Sequence, residues 1–137
     1  MSLDLTVKKY LGSTTDQETG AAIESFKEVY NFSGQYLILE ALGHVYHTSF
    51  ENCSTMTFDT EQLYDVYNEL LEDRQNYLDG KAYRFKDDTD ETFNRRVRRA
   101  VVELDSAIDD LECFFAQEGI TEKTADGSQT YDIHAWW

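Results

Sequence analysis

Four arginines, Arg95, Arg96, Arg98 and Arg99, form the only dense positive patch in the chain. A guanidinium is a planar fork of donors that suits phosphate or carboxylate, so an anionic small molecule is one ligand such a patch could take. The surrounding acids favour internal use. Asp87, Asp88, Asp90 and Glu91 match the arginines in number, and Glu91–Arg95 and Arg99–Glu103 stand at i,i+4. Positive charge early in a helix also opposes the macrodipole, which points to ion pairs elsewhere in the molecule or across subunits.

His44 and His47 would share one face of a helix, with Cys53 further on, which is the beginning of a metal site. The only other histidine is His134, so no second pair completes the set. Hydrogen-bonded histidines, and neither metal nor cofactor, are the expectation. Cys53 and Cys113 lie far apart with no C-x-x-C, which suits a reduced intracellular protein whose thiols pack. The chain has no G-x-S-x-G, no H-E-x-x-H and no Gly-rich phosphate loop. Asp87-Asp88 and Asp109-Asp110 are adjacent acids, and neighbours on a helix point about 100° apart, too divergent to share a proton. A non-enzymatic role follows as the expectation.

Charge narrows the class. The net charge is −15, from 27 Asp and Glu against 12 Lys and Arg. Such a surface repels nucleic acid and anionic lipid and attracts basic protein surfaces. From residue 100 to 118 the acids Glu103, Asp105, Asp109, Asp110, Glu112 and Glu118 run without a Lys or Arg. Glu69, Glu72, Asp73 and Asp79 lie on the preceding candidate helix. Together they predict a one-signed face, read either as a solvated surface that keeps the protein soluble or as a docking face for a basic partner, with carboxylates imitating a nucleic-acid backbone. Phage-encoded factors that disarm host machinery offer a compositional analogy.

Helices must position these residues. Phe93, Val97, Ala100, Val101, Leu104, Ala107, Ile108, Leu111, Phe114 and Phe115 step by three and four, which predicts a helix over 90–118. At 1.5 Å per residue it is a rod of roughly 40 Å. Asp88 with Glu91 reads as its capping box and Gly119 as its stop. Asp59 with Gln62 opens a second helix over about 60–79, closed by Asp79-Gly80, and the two should pack antiparallel.

Elsewhere the pattern is weaker. Residues 1–15 read as a brief helix or strand, and Thr15 with Glu18 caps a helix over 16–31 facing inward through Ala22, Ile23, Phe26, Val29 and Tyr30. The apolar run 35–50 reads as helix in preference to strand. Cys53–Phe58 reads as a loop or short extended piece, and Tyr83 and Phe85 as a short strand pairing with it or with the C-terminus. Tyr131, Ile133, Trp136 and Trp137 should dock on the helices or on a partner.

With 137 residues, 41% apolar and 14% aromatic, the chain fits one domain, 1–137, that folds without disulfides. It has no proline, which frees long helices. No run has signal-peptide or membrane-spanning length, so a soluble cytoplasmic protein (host cytoplasm if viral) is expected. The fold expectation is mainly α, a bundle-like domain with one long C-terminal helix and at most a small β-hairpin. The functional expectation is an acidic inhibitor or adaptor acting on a basic protein surface. A structural or assembly subunit, including a homo-oligomer, and an anionic small-molecule binder are the alternatives.

Overall fold

Leu3, Leu5 and Val7 alternate with Asp4, Thr6 and Lys8, and only the apolar three are buried. That period of two is a strand with one face on a core. The computed structural model describes residues 2–47 and 49–137. In chain order it runs β1 (Asp4–Thr15), β2 (Ala22–Asn31), α1 (Tyr36–Tyr46), β3 (Ser54–Asp59), α2 (Thr60–Leu78), α3 (Asp90–Glu118) and β4 (Thr130–Trp136). The strands form one antiparallel sheet in the order β2-β1-β4-β3. The mainly α expectation is therefore overturned: the chain is α+β, 44% helical and 26% strand.

The largest correction falls on 16–31, read as a helix and found as a turn followed by β2. Asp16 Oδ1 accepts from the N–H of Glu18 at 2.7 Å and of Thr19 at 3.2 Å, so the residues read as a helix start build a side-chain-capped turn. Gly20, at φ +72°, reverses the chain, and its N–H returns to the Asp16 carbonyl at 2.8 Å. β2 then pairs with β1 from Thr15↔Ala22 to Thr6↔Asn31. Most of β2 is exposed, so its three-and-four spacing marked no buried stripe. Pairing with β1 decided the conformation.

The second correction is the C-terminus. It does reach the helices, but as a central strand. β4 pairs with β1 from Asp4↔Trp136 to Lys9↔Tyr131, and with β3 from Ser54↔Ala135 to Asp59↔Thr130. Tyr131, Ile133 and Ala135 face the core, whereas Trp136 is 55% exposed on the open side. Trp137 is half-buried, and its N–H donates to Asn52 Oδ1 at 2.9 Å. Tyr83 and Phe85 form no strand; β3 takes β4 as its partner instead.

The helices cover one face of the sheet. α2 and α3 are antiparallel, because Tyr67 reaches Glu112 while Arg74, further along α2, reaches back to Asp105. Asp59 and Gln62 form the expected capping box of α2. α3 is capped one residue later than expected, by Thr89 with Thr92, and ends at Gly119 in the left-handed conformation. Phe114 sits at the centre of the core, with ring centroids 5.5 Å from Tyr30 and Phe32 and 5.3 Å from Tyr131. The thiols do not pack: Cys53 and Cys113 are both exposed and unpaired. Among the described residues, no helix is long and apolar enough to cross a membrane.

Candidate functional site

α1 is apolar except for Glu40 and His44, which stand one turn apart and face α2. Where α1 meets α2 and α3, a cleft of about 440 Å³ opens. Its walls carry Leu37, Ala41, Leu70 and Leu104, and its charged groups are Glu40, His44, Glu69, Asp73, Glu103 and Lys81. Tyr77 and Tyr83 also line it. This is an apolar trough surrounded by carboxylates, a shape and charge suited to a cation with an apolar stem.

Electrostatic strain concentrates there. His44 Nδ1 lies 2.8 Å from Glu69 Oε1, and the Glu69 carboxylate pushes the imidazole pKa up. The other oxygen, Glu69 Oε2, is buried and has no hydrogen-bond partner. Such an oxygen costs folding free energy until something donates to it. Burial raises the pKa of Asp73, and the neighbouring Glu69 and Glu72 raise it further. Among the described residues, neither Asp73 nor Lys81 has an oppositely charged group within 4 Å.

The acids read from the sequence as one face are divided among four settings. Glu69, Asp73 and Glu103 line the cleft, with Glu103 also 3.4 Å from Arg99. Asp110 is turned toward the sheet and accepts from the Tyr30 hydroxyl at 2.5 Å, which together with burial pushes the Tyr30 pKa well up. Asp105 and Glu112 lie along the α2 side of α3, where Arg74 donates to Asp105 and the Tyr67 hydroxyl donates to Glu112 at 3.1 Å. Asp109 and Glu72 are exposed, and among the described residues neither has a cation within 4 Å.

The arginine cluster belongs to the tip where α2, its connector and α3 meet. Arg96 donates to both oxygens of Asp88, at 2.8 and 2.7 Å, and to the Tyr83 carbonyl at 2.7 Å. Its guanidinium also covers the Phe85 and Phe93 rings, at 4.6 and 5.5 Å from their centroids. Those hydrogen bonds hold the Asp88 pKa down to about 2. Arg95 pairs with Glu91 at 2.9 Å and Arg99 with Glu103, whereas Arg98 is exposed without an acid within 4 Å among the described residues. Three of the four guanidiniums are thus engaged within the chain.

Of the aromatic candidates, Tyr131 is in the core and donates to Glu118 Oε1 at 2.9 Å, so only Trp136 and the edge of Trp137 remain to meet a partner. His47 ends α1 in a left-handed conformation and does not stand with His44 on one helical face. No group of three or more His, Cys, Asp or Glu among the described residues could hold a metal ion. Sequence reasoning missed Glu40, Lys81, Tyr77 and Tyr83 as parts of one site. The available signal was the pair Glu40 and His44 at i,i+4 in an otherwise apolar run. No family model matches the chain, and no curated protein or solved structure matches it either.

Proposed function

We propose that this chain is a non-enzymatic acidic binding protein, an inhibitor or adaptor, whose helical layer engages a basic surface on another protein. The supporting observation is how few of its acids are neutralised. Seven of the twelve Lys and Arg fall between 79 and 99, together with five of the twenty-seven acids. That segment is net positive by two, so the remainder carries the whole −15 and two charges more. Outside it, only Glu103, Asp105 and Glu118 have a Lys or Arg within 4 Å among the described residues. The Tyr67 hydroxyl orients the exposed Glu112 without neutralising it. An oriented, unneutralised carboxylate on a rigid helix is preorganised for an incoming cation.

A nucleic-acid-binding groove is the most natural basic surface of this kind, since its cations already expect a track of anions. Immobilised protein should capture basic proteins from a cell extract at low salt and release them as salt is raised. Duplex DNA should compete for those partners. Capture of no basic protein, or capture indifferent to salt, overturns the reading.

A structural or assembly role has one observation in its favour. β2 is an edge strand, and Leu11, Ile23 and Phe26 near its turn are exposed at 57%, 47% and 41%. Mass measured in solution at micromolar concentration separates the two, because a monomer removes self-assembly through that edge.

A further inference from the structure

We propose that the cleft between α1, α2 and α3 is a socket for a single arginine side chain of the basic partner. This proposal rests on the reading above and sharpens it, because it assigns the strongest contact to one place. Acids outside the cleft, such as Asp109 and Glu72, offer only screened attraction with no cavity to seat a side chain. The cleft offers the partly exposed Glu69 carboxylate, whose Oε1 is held by His44 while Oε2 has no hydrogen-bond donor. Asp73 lies one turn along the same face of α2, so a planar fork can reach both carboxylates.

The apolar wall explains why the cation should be a side chain and not a bare ion. Leu37, Leu70 and Leu104 would take the methylene stem, and the ring of Tyr77 or Tyr83 would take the flat face of the guanidinium. An ammonium satisfies fewer acceptors at once and stacks less well, so arginine is favoured over lysine. Lys81 also lines the cleft, so a second cation there would be repelled by it. The site differs from the arginine cluster in sign and position, and from the Asp105–Glu112 side of α3 in having a cavity.

The test is titration calorimetry of the full chain with a nona-arginine peptide at about 50 mM salt. Glu69→Gln and Asp73→Asn are compared with Asp109→Asn, which removes the same charge outside the cleft. The expected result is a loss of about tenfold or more for either cleft variant, at most about twofold for Asp109→Asn, and weaker binding of nona-lysine. Thermal melts of each variant establish that it is folded. Equal losses for all three variants overturn the socket while leaving the acidic-surface reading intact. No measurable binding of either peptide overturns both.

Discussion

The sheet-backed body and the tip at residues 79–99 are held together by different forces. In the body, Phe32, Phe58, Phe114, Tyr131 and the aliphatic residues around them are almost wholly out of water. In the tip no residue is buried, and order comes from Arg84 on Asp90, Arg96 on Asp88, and guanidiniums over Phe85 and Phe93. Apolar burial involves no titrating group and is not screened by salt, whereas ion pairs at a wet surface depend on pH and are screened. The two halves of α3 therefore belong to regions of unequal stability, although the helix is continuous. Charge follows the same division, with cations stitching the tip while most acids of the body have no Lys or Arg within 4 Å among the described residues.

The strongest challenge to this contrast is Phe114→Ala. It should remove about 3–5 kcal/mol from the global stability measured by denaturant unfolding. A change below about 1 kcal/mol would mean that the core is not centred on that ring. Next comes Tyr131→Phe, which deletes the donor to a Glu118 carboxylate only 8% exposed. It should cost about 1–3 kcal/mol, with Lys9, 3.5 Å from the same oxygen, left as the remaining partner.

Arg96→Ala should act locally. Amide hydrogen exchange across 81–97 should lose protection while the strands keep theirs. Parallel loss in both regions would show that tip and body unfold together. Acid should do the same to the wild-type chain. Because the Asp88 pKa is lowered on folding, its contribution is present above the usual carboxylate pKa and disappears as pH falls through about 2. Tip amides should lose protection in that window.

The smallest effect has the opposite sign. Folding raises the Asp73 pKa, because partial burial and the neighbouring Glu69 and Glu72 make its charged form less favourable than in the unfolded chain. Asp73→Asn should stabilise the isolated protein by about 0.2–0.5 kcal/mol, the size of one relieved like-charge pair. The same change should weaken cation binding, an opposition between stability and function that marks a site held ready for a ligand. A lower melting temperature for that variant would show that Asp73 is a structural group.

How far the sequence announced this contrast depended on whether the signals were local. The capping box at Asp59 and Gln62 and the apolar stripe of α3 are contained within their own segments, and both helices could be read directly. The α3 cap was misplaced by one residue because Asp88 has the right type for it but spends its carboxylate on Arg96 and the Phe85 N–H. The sheet was hidden because its pairings join distant segments, Asp4 to Trp136 being the extreme. Residues 16–31 have apolar spacing compatible with a helix, and only the presence of β1 alongside resolves it.

The candidate site suffered in the same way. The acids of α2 and α3 were visible, yet which of them share a cavity depends on where α1 crosses them. His44 was expected to be hydrogen-bonded, but nothing local in the sequence named its partner, a carboxylate 25 residues away. The arginine cluster was expected to form ion pairs within the chain or between subunits, and its dominant partner is Asp88 on Arg96, at a spacing that no helical rule supplies.

The most direct check of the acidic body as the working surface is the affinity of a partner captured at low salt, measured by calorimetry at about 50 and 200 mM salt. The dissociation constant should rise by about an order of magnitude or more as cations and anions are screened from each other. A dissociation constant unchanged across that range would contradict the account, because carboxylates could not then supply the attraction.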